Sequence, residues 1–493
     1  MHLLFPAFSA LLLFLSFPYN ISGYLSFAAL VPFFYSISRV FSYRKAFIGG
    51  LIFGLIYSAM MSYPLLHALN YHYNRSFIYS LLLITVTSII PLAFLYGIFS
   101  AACIYFRVPS KILCILIPPS LWIISDYVRE IIPFYLPWGF AGYTQVFTPL
   151  MQISDITGIY GVTFFILLIN ILITEIIIDR RNFIYHSILL GIVLLVISYS
   201  HFRIKQIESE LSKSPETDII TIAAIQGNFT TRDRWDDGLS RLRYSTYLSL
   251  SENNLSGTDI IIWPETVLNS ADRVNLEIIK TVSSRLSPGQ LFVTGATRSD
   301  NKGGYNNSVF VASNAGIIDI YDKIILFPYS EKSYTWLSAG KFMNAPEKFE
   351  PGTRQRIVKT GNGNIGITIC FESIYPYFSR RIKRGNADYI LNISNDSWFG
   401  STSEPYIHLY SNIARAVELR IPVIRSTNNG ISAIINQTGI ISASTSLDMK
   451  EILKGSISKN RFNSIYAQYG DLILILSAAI LLAGIFQKNK KAI

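Results

Sequence analysis

The sequence predicts a polytopic α-helical membrane domain of about eight transmembrane helices, joined to an α/β domain. Three observations carry this reading. The 493 residues are 51% hydrophobic with a mean hydropathy of +0.37, too apolar for an ordinary soluble enzyme. Charge is sparse at one end: only 14 Asp, Glu, Lys or Arg residues fall in the first 200 positions. After position 200, apolar β-branched runs alternate with amphipathic stretches, the pattern of strands and helices in one domain.

A helix needs about 20 apolar residues to cross a hydrocarbon core of roughly 30 Å. Spans are expected at 3–18, 25–38, 47–66, 77–106, 112–127, 158–178, 184–200 and 469–487. The first two are short, and Pro91 offers a kink in the fourth. The N-terminus has no basic n-region or small-residue cleavage site, so it reads as a helix rather than a signal peptide. The expected domains are 1–200 in the membrane, 201–468 outside it, and 469–493 as a last helix with a basic tail.

Basic residues near span ends set orientation. With the N-terminus inside, inner loops hold Arg39, Arg44, Lys45, Arg107, Lys111, Arg180 and Arg181, and the tail adds Lys488, Lys490 and Lys491. The short outer loops hold Arg75 and Arg129. The 201–468 segment is therefore expected outside the cytoplasm. On this reading the +11 net charge is partly topological and does not argue for nucleic acid. Residues 201–216 read as a polar linker.

Strands are expected at 218–225, 259–263, 291–295, 307–312, 316–320, 365–370, 388–393, 421–426 and 431–436. Helices are expected at 238–252, 273–285, 373–384 and 404–419. Gly361-Asn-Gly363-Asn-Ile-Gly366 matches a dinucleotide-loop pattern but precedes a strand, so Asn362-Gly363 reads as a hairpin turn.

Three polar residues end apolar strands. Glu265 closes Asp-Ile-Ile-Ile-Trp-Pro-Glu, where Pro264 cannot donate to a ladder and stops the strand. Lys323 closes Ile-Ile-Asp-Ile-Tyr-Asp-Lys. Cys370 lies between Ile-Gly-Ile-Thr-Ile and a helix near Ser373, where N-terminal amides favour a thiolate. Separately these read as a loop carboxylate, a surface lysine and a buried thiol. Together they are the parts of cysteine acyl transfer: nucleophile, base and oxyanion-stabilising cation. Cys103 and Cys114 fall in or beside spans and read as packing, so Cys370 is the lone thiol of the outer domain. His408 reads as structural.

The order Trp-Pro-Glu265, Tyr-x-Lys323, Ile-Cys370-x-Glu resembles the Glu-Lys-Cys triad of the nitrilase (carbon–nitrogen hydrolase) superfamily. Further segments resemble the apolipoprotein N-acyltransferases within it: Gln226-Gly227-Asn228, Asn395-Asp396-Ser-Trp398-Phe399-Gly400, Arg415-Ala-Val-Glu418, Arg425-Ser-Thr-Asn428-Asn429-Gly430, and in the membrane part Pro137-Trp138-Gly, Gln152-Ile-Ser-Asp155 and Gly158-Ile-Tyr160-Gly161.

The resemblance implies a nitrilase-like αββα sandwich between the seventh and eighth spans. It implies acyl transfer from a phospholipid, typically phosphatidylethanolamine, through a Cys370 thioester to the N-terminal diacylglyceryl-cysteine of an apolipoprotein. Glu265 would be the base, Lys323 the oxyanion holder and Glu331 a second carboxylate. Trp235, Phe371, Glu372, Trp398 and Glu418 match positions used for lipid placement or support. The alternatives for them are core packing or, for the carboxylates, a structural ion pair, which is favoured for Glu418. No metal or organic cofactor and no partner subunit is implied, so a monomer is expected.

The stretch departs from the family at Ile325, where a histidine is usual, and at Tyr329-Ser330 in place of Phe-Gly. Phe327, Tyr329, Tyr334, Trp336 and Phe342 suggest an aromatic arm at the bilayer interface. Two rivals remain at this point. A membrane-tethered amidase needs the same triad but not seven spans. A transporter would show repeated halves, which the sequence lacks; Asp126, Asp155 and Glu175 read as span-end residues.

Overall fold

The computed structural model describes residues 3–71, 76–132, 137–234, 236–252, 256–300, 303–328, 330–332, 349–459 and 461–490. The chain divides into two units, one comprising 1–66, 77–206 and 464–493 and the other 67–76 and 207–463.

In the first unit, six helices are long and apolar enough to cross a membrane: Tyr43–Tyr71, Phe77–Tyr105, Lys111–Ile131, Pro149–Ile178, Phe183–Leu211 and Leu472–Lys490. Leu4–Leu15 and Gly23–Ser38 are apolar but shorter. All eight expected spans are therefore helical, and six have spanning length. The break in the fourth precedes Pro91: Thr85–Ile89 is a π-helical turn and the α-helix resumes at Ile90. A wider turn there relieves the clash a proline ring makes with the preceding turn. The expected linker after residue 200 is instead helical to Leu211.

Asp126 and Asp155 differ from span-end residues in solvent reach. Both are buried. Asp126 pairs with Arg129 at 2.9 Å, and Asp155 accepts from Arg203 at 2.9 Å and Tyr199 at 2.7 Å. Arg129, expected in an outer loop, is buried too and also donates to the Trp138 carbonyl. In an apolar surround, pairing is what makes such charges tolerable.

The second unit holds two six-stranded sheets. One runs β12-β1-β2-β3-β4-β5 and the other β11-β10-β9-β8-β7-β6. The first comprises β1 (Ile219–Gln226), β2 (Ile260–Leu268), β3 (Leu291–Ser299), β4 (Tyr305–Ser313), β5 (Gly316–Asp322) and β12 (Glu451–Ser458). The second comprises β6 (Ile357–Thr360), β7 (Gly363–Ile369), β8 (Tyr389–Ser394), β9 (Val423–Thr427), β10 (Ala433–Ile435) and β11 (Ile441–Ser444).

Side chains alternate across a strand. Ile220, Ile222, Ile260, Ile262 and Val293 on the first sheet share a core with Ile365, Ile367, Ile369, Leu391 and Ile393 on the second. The alternate residues Ile261, Trp263, Phe292 and Phe310 pack with Tyr244, Tyr247, Ile279 and Val282 of the 240–252 and 272–283 helices. The helices Pro376–Arg384 and Glu404–Leu419 pack against β7 and β10 of the second sheet. The layers are αββα. β2 is buried on both faces, which is why Ile-Ile-Ile-Trp runs without alternation.

The hairpin between β6 and β7 is present, with Gly361-Asn362 as its two-residue loop and Gly363 at φ +102°. β6, β11 and β12 were not anticipated. β2 also runs past Pro264, where its pairing with β3 lapses after Trp263 and resumes at Leu268.

Candidate active site

The lapse in β2 places Glu265. Across residues 264–267 the chain leaves the parallel ladder, and Thr266 takes φ +52°, a costly conformation for a β-branched residue. Gly295 on β3 makes room: a Cβ there would lie 2.5 Å from the Thr266 nitrogen and 2.6 Å from the Glu265 Cα. Glu265 is 5% exposed. Its Oε1 accepts from Asn307 Nδ2 at 2.6 Å and from Lys323 Nζ at 3.3 Å.

Lys323 follows β5 directly and is 1% exposed. Its N–H donates to the Asn307 carbonyl at 2.8 Å, and its own carbonyl accepts from Gly352 at 2.7 Å. Its ammonium donates to Glu331 Oε1 at 2.9 Å and lies 2.8 Å from Oε2. Burial by itself would lower this amine's pKa. Glu265 and then Glu331 overcome that and hold it above the usual lysine value.

Glu331 also accepts from Asn307 Nδ2 at 2.8 Å and from the Phe327 N–H at 2.8 Å. Asn307 on β4 thus bridges both carboxylates. No sequence signal singled it out.

Cys370 follows β7 directly, at φ +48°, and opens the turn Cys370–Ile374. Burial and the Glu265 charge push its thiol well up, and Lys323 opposes only part of this. That direction favours the thiol over the thiolate, against the pull of helix-end amides. A free cysteine titrates at about 8.5. Because the pKa is raised, the thiolate fraction grows with pH through and beyond that value. Alkylation of Cys370 by iodoacetamide, followed by peptide mass analysis, is expected to be slow at pH 7 and still rising at pH 9. A plateau below pH 8 would contradict that direction.

Glu372 ties the two loops together. It is fully buried and accepts from the N–H groups of Ile369 at 2.8 Å, Ile324 at 2.6 Å and Ile325 at 3.1 Å, and from the Tyr321 hydroxyl at 2.8 Å. Burial lifts its carboxyl to about 7 against these hydrogen bonds. No cation partners it among the described residues, so it differs from a structural ion pair.

Phe371 is buried, with its ring centroid 5.1 Å from Phe327 and 5.1 Å from Tyr375. Phe327, the first aromatic of the expected arm, thus packs within the domain; Tyr329, Tyr334, Trp336 and Phe342 lie outside the described residues, as does Trp235. Ile325 packs against the core between the sheets where the family has histidine. Trp398 is half-buried in the turn Asp396–Trp398. Glu418 is buried beside Arg415 at 2.8 Å, the expected ion pair.

The structure brings Glu265, Lys323 and Glu331 together around Asn307, and Cys370 lies within electrostatic reach of Glu265 and Lys323. The motif segments also converge: Asn228 N–H donates to the Asn428 carbonyl at 2.8 Å, and Asn428 Nδ2 lies 3.3 Å from Asn395 Oδ1.

Residues 9–172 match the family described as apolipoprotein N-acyltransferase N-terminal domain, and residues 221–466 match carbon-nitrogen hydrolase. An apolipoprotein N-acyltransferase of Geobacter metallireducens is 32% identical over 392 residues, covering 75% of this chain and 74% of that one. One from Borreliella burgdorferi is 28% identical and covers 94% of this chain and 91% of its own. Among solved structures, Saccharomyces cerevisiae Nit3, a member of branch 10 of the nitrilase superfamily, aligns with a TM-score of 0.40 and 17% identity over 49% of this chain and 90% of its own. The first match lies over the membrane helices, which a tethered amidase or a transporter does not account for. The chain belongs to the apolipoprotein N-acyltransferase family, as a membrane enzyme with a carbon–nitrogen hydrolase domain.

Proposed function

We propose that this enzyme N-acylates apolipoproteins through a covalent acyl group on Cys370. The observation that carries the reading is the array in which the buried Lys323 is shared by Glu265 and Glu331, with Cys370 within electrostatic reach.

In the first half-reaction, Glu265 takes the Cys370 proton. This moves charge within the array without changing its total, and Lys323 steadies the resulting thiolate. Sγ attacks the ester carbonyl of a phospholipid, and Lys323 donates to the oxyanion. The C–O bond breaks, Glu265 returns the proton to the leaving oxygen, and a lysophospholipid departs. In the second half-reaction, the free amine of a diacylglyceryl-cysteine attacks the thioester. Its proton passes to Glu265, the C–S bond breaks, and the thiolate is reprotonated. This is covalent, ping-pong catalysis. Glu331 holds Lys323, and Glu372 fixes the spacing of the Cys370 and Lys323 loops.

The donor in this reading is phosphatidylethanolamine, cleaved at sn-1, and the enzyme acts as a monomer. The basic residues at span ends support an inner-membrane protein with residues 201–468 on the periplasmic side. Trp235, Trp398 and Phe371 are assigned to lipid placement, and Glu418 to support through Arg415.

The test is the intact mass of purified protein mixed with phosphatidylethanolamine, before and after hydroxylamine. A fatty-acyl increment that maps to Cys370 and is removed by hydroxylamine is expected. An increment on another residue, or none with lipid bound, would overturn the assignment.

A further inference from the structure

The Cys370 carbonyl is held from three sides. His408 Nε2 lies 2.9 Å away, Ser373 Oγ donates at 3.2 Å and Asn392 Nδ2 at 3.3 Å. His408 is buried on the Glu404–Leu419 helix, 38 residues from the cysteine. A carbonyl oxygen only accepts, so Nε2 carries the hydrogen.

The other ring nitrogen faces two carboxyl groups, Asp396 Oδ1 at 3.3 Å and Glu404 Oε1 at 3.4 Å. These three side chains have the donor types of a cation site. The cation already present is Arg425, which donates to Asp396 Oδ2 at 2.5 Å and to Asn392 Oδ1 at 2.7 Å. Gly430 leaves space for that pair, since a Cβ there would overlap Asp396 Oδ2. Burial works against the charged forms of His408 and Glu404, and Asp396 pushes the Glu404 carboxyl further up. A protonated Glu404 can donate to Nδ1, which leaves Nε2–H for the carbonyl.

We propose that His408 is a positioning residue for the nucleophile: its Nε2–H pins the Cys370 peptide in its left-handed conformation, and Glu404, Asp396 and Arg425 hold the ring for that task. Cys370 sits at φ +48°, a region non-glycine residues leave unless the surroundings over-determine it. Peptide planarity couples the pinned carbonyl to the Phe371 N–H on the opposite side of the bond. Releasing the carbonyl lets both the Sγ direction and that N–H drift from the reacting carbonyl. The role rests on the reading of Cys370 as nucleophile.

The experiment is the single-turnover rate of acyl-Cys370 formation from phosphatidylethanolamine vesicles, with thermal unfolding measured on the same samples. Glutamine can place an amide nitrogen near the position of Nε2, whereas asparagine reaches only that of Nδ1. His408→Asn and His408→Leu are expected to slow acylation by roughly 100-fold, the scale of a misplacement of about 1 Å. His408→Gln is expected to recover most of the rate. The lipid concentration for half-maximal rate is expected to stay unchanged in all three, because His408 acts on the nucleophile and not on lipid binding.

Equal losses in the Gln and Asn variants that track their melting temperatures would reduce His408 to packing and overturn the proposal. So would a normal rate in His408→Leu. A wild-type enzyme that takes no acyl group at Cys370 would overturn the nucleophile assignment itself and this role with it.

Discussion

Cys370→Ala is expected to form no acyl-enzyme, and Cys370→Ser to retain at most about one part in 10⁴ of wild-type turnover, a loss approaching the roughly 10⁶-fold that removal of a nucleophile costs. The reason lies in the array. Glu265 already shares its Oε1 with Asn307 and Lys323. It can remove a thiol proton when substrate arrives, but a hydroxyl is a far weaker acid. The buried site that already favours the thiol would oppose a buried alkoxide more strongly. Alanine removes the attacking atom but touches neither carboxylate nor the lysine, so the fold is expected to melt within about 1 kcal/mol of wild type, as small changes that leave no buried group unpaired do. The measurement is acyl transfer to a diacylated lipopeptide, followed by mass, with thermal unfolding alongside. Serine turnover within tenfold of wild type would remove Cys370 from the nucleophile's place.

Lys323→Met is expected to strike both activity and stability. Lys323 is the cation shared by Glu265 and Glu331, at 3.3 and 2.8 Å. Without it, the buried Glu265 and the partly buried Glu331 share the Asn307 amide. Breaking a buried pair from one side costs about 3–5 kcal/mol, because the other charge is left uncompensated. Without the ammonium the two like charges repel, which takes Glu265 out of the position from which it accepts the cysteine proton. Loss of the oxyanion donor lowers turnover by a further 10²–10³, approximately the value of one such donor elsewhere. Lys323→Arg keeps the charge but presents a planar fork where a compact ammonium fits, so it is not expected to rescue. A Met variant that forms acyl-Cys370 at the wild-type rate would remove Lys323 from the mechanism. One that is inactive yet melts like wild type would show that the array is not a structural pair.

Several elements were legible because their cause is local. Apolar length marks a helix, so each of the eight expected segments is helical, six of them long enough to cross a membrane. A polar residue at the end of an apolar strand is visible in one dimension, so Glu265, Lys323 and Cys370 stood out. Other elements were hidden for equally physical reasons. β11 and β12 are partly exposed, and their mixed residues lack the apolar run of a central strand. The polar turn of sequence after residue 200 marks a change of surroundings, whereas the backbone hydrogen bonds of that helix continue to Leu211. Pro264 does end the parallel pairing, but a bulge opposite Gly295 carries β2 past it.

The sequence by itself determined the family, the helix-rich and α/β halves, and the residue types of the chemistry, because hydropathy, periodicity and motif order are properties of one dimension. Only the tertiary structure decided that Asn307 bridges two carboxylates and that His408 holds the Cys370 carbonyl from 38 residues away. Those facts depend on burial and on charges a few ångströms apart through space, and both are set by how the sheets stack.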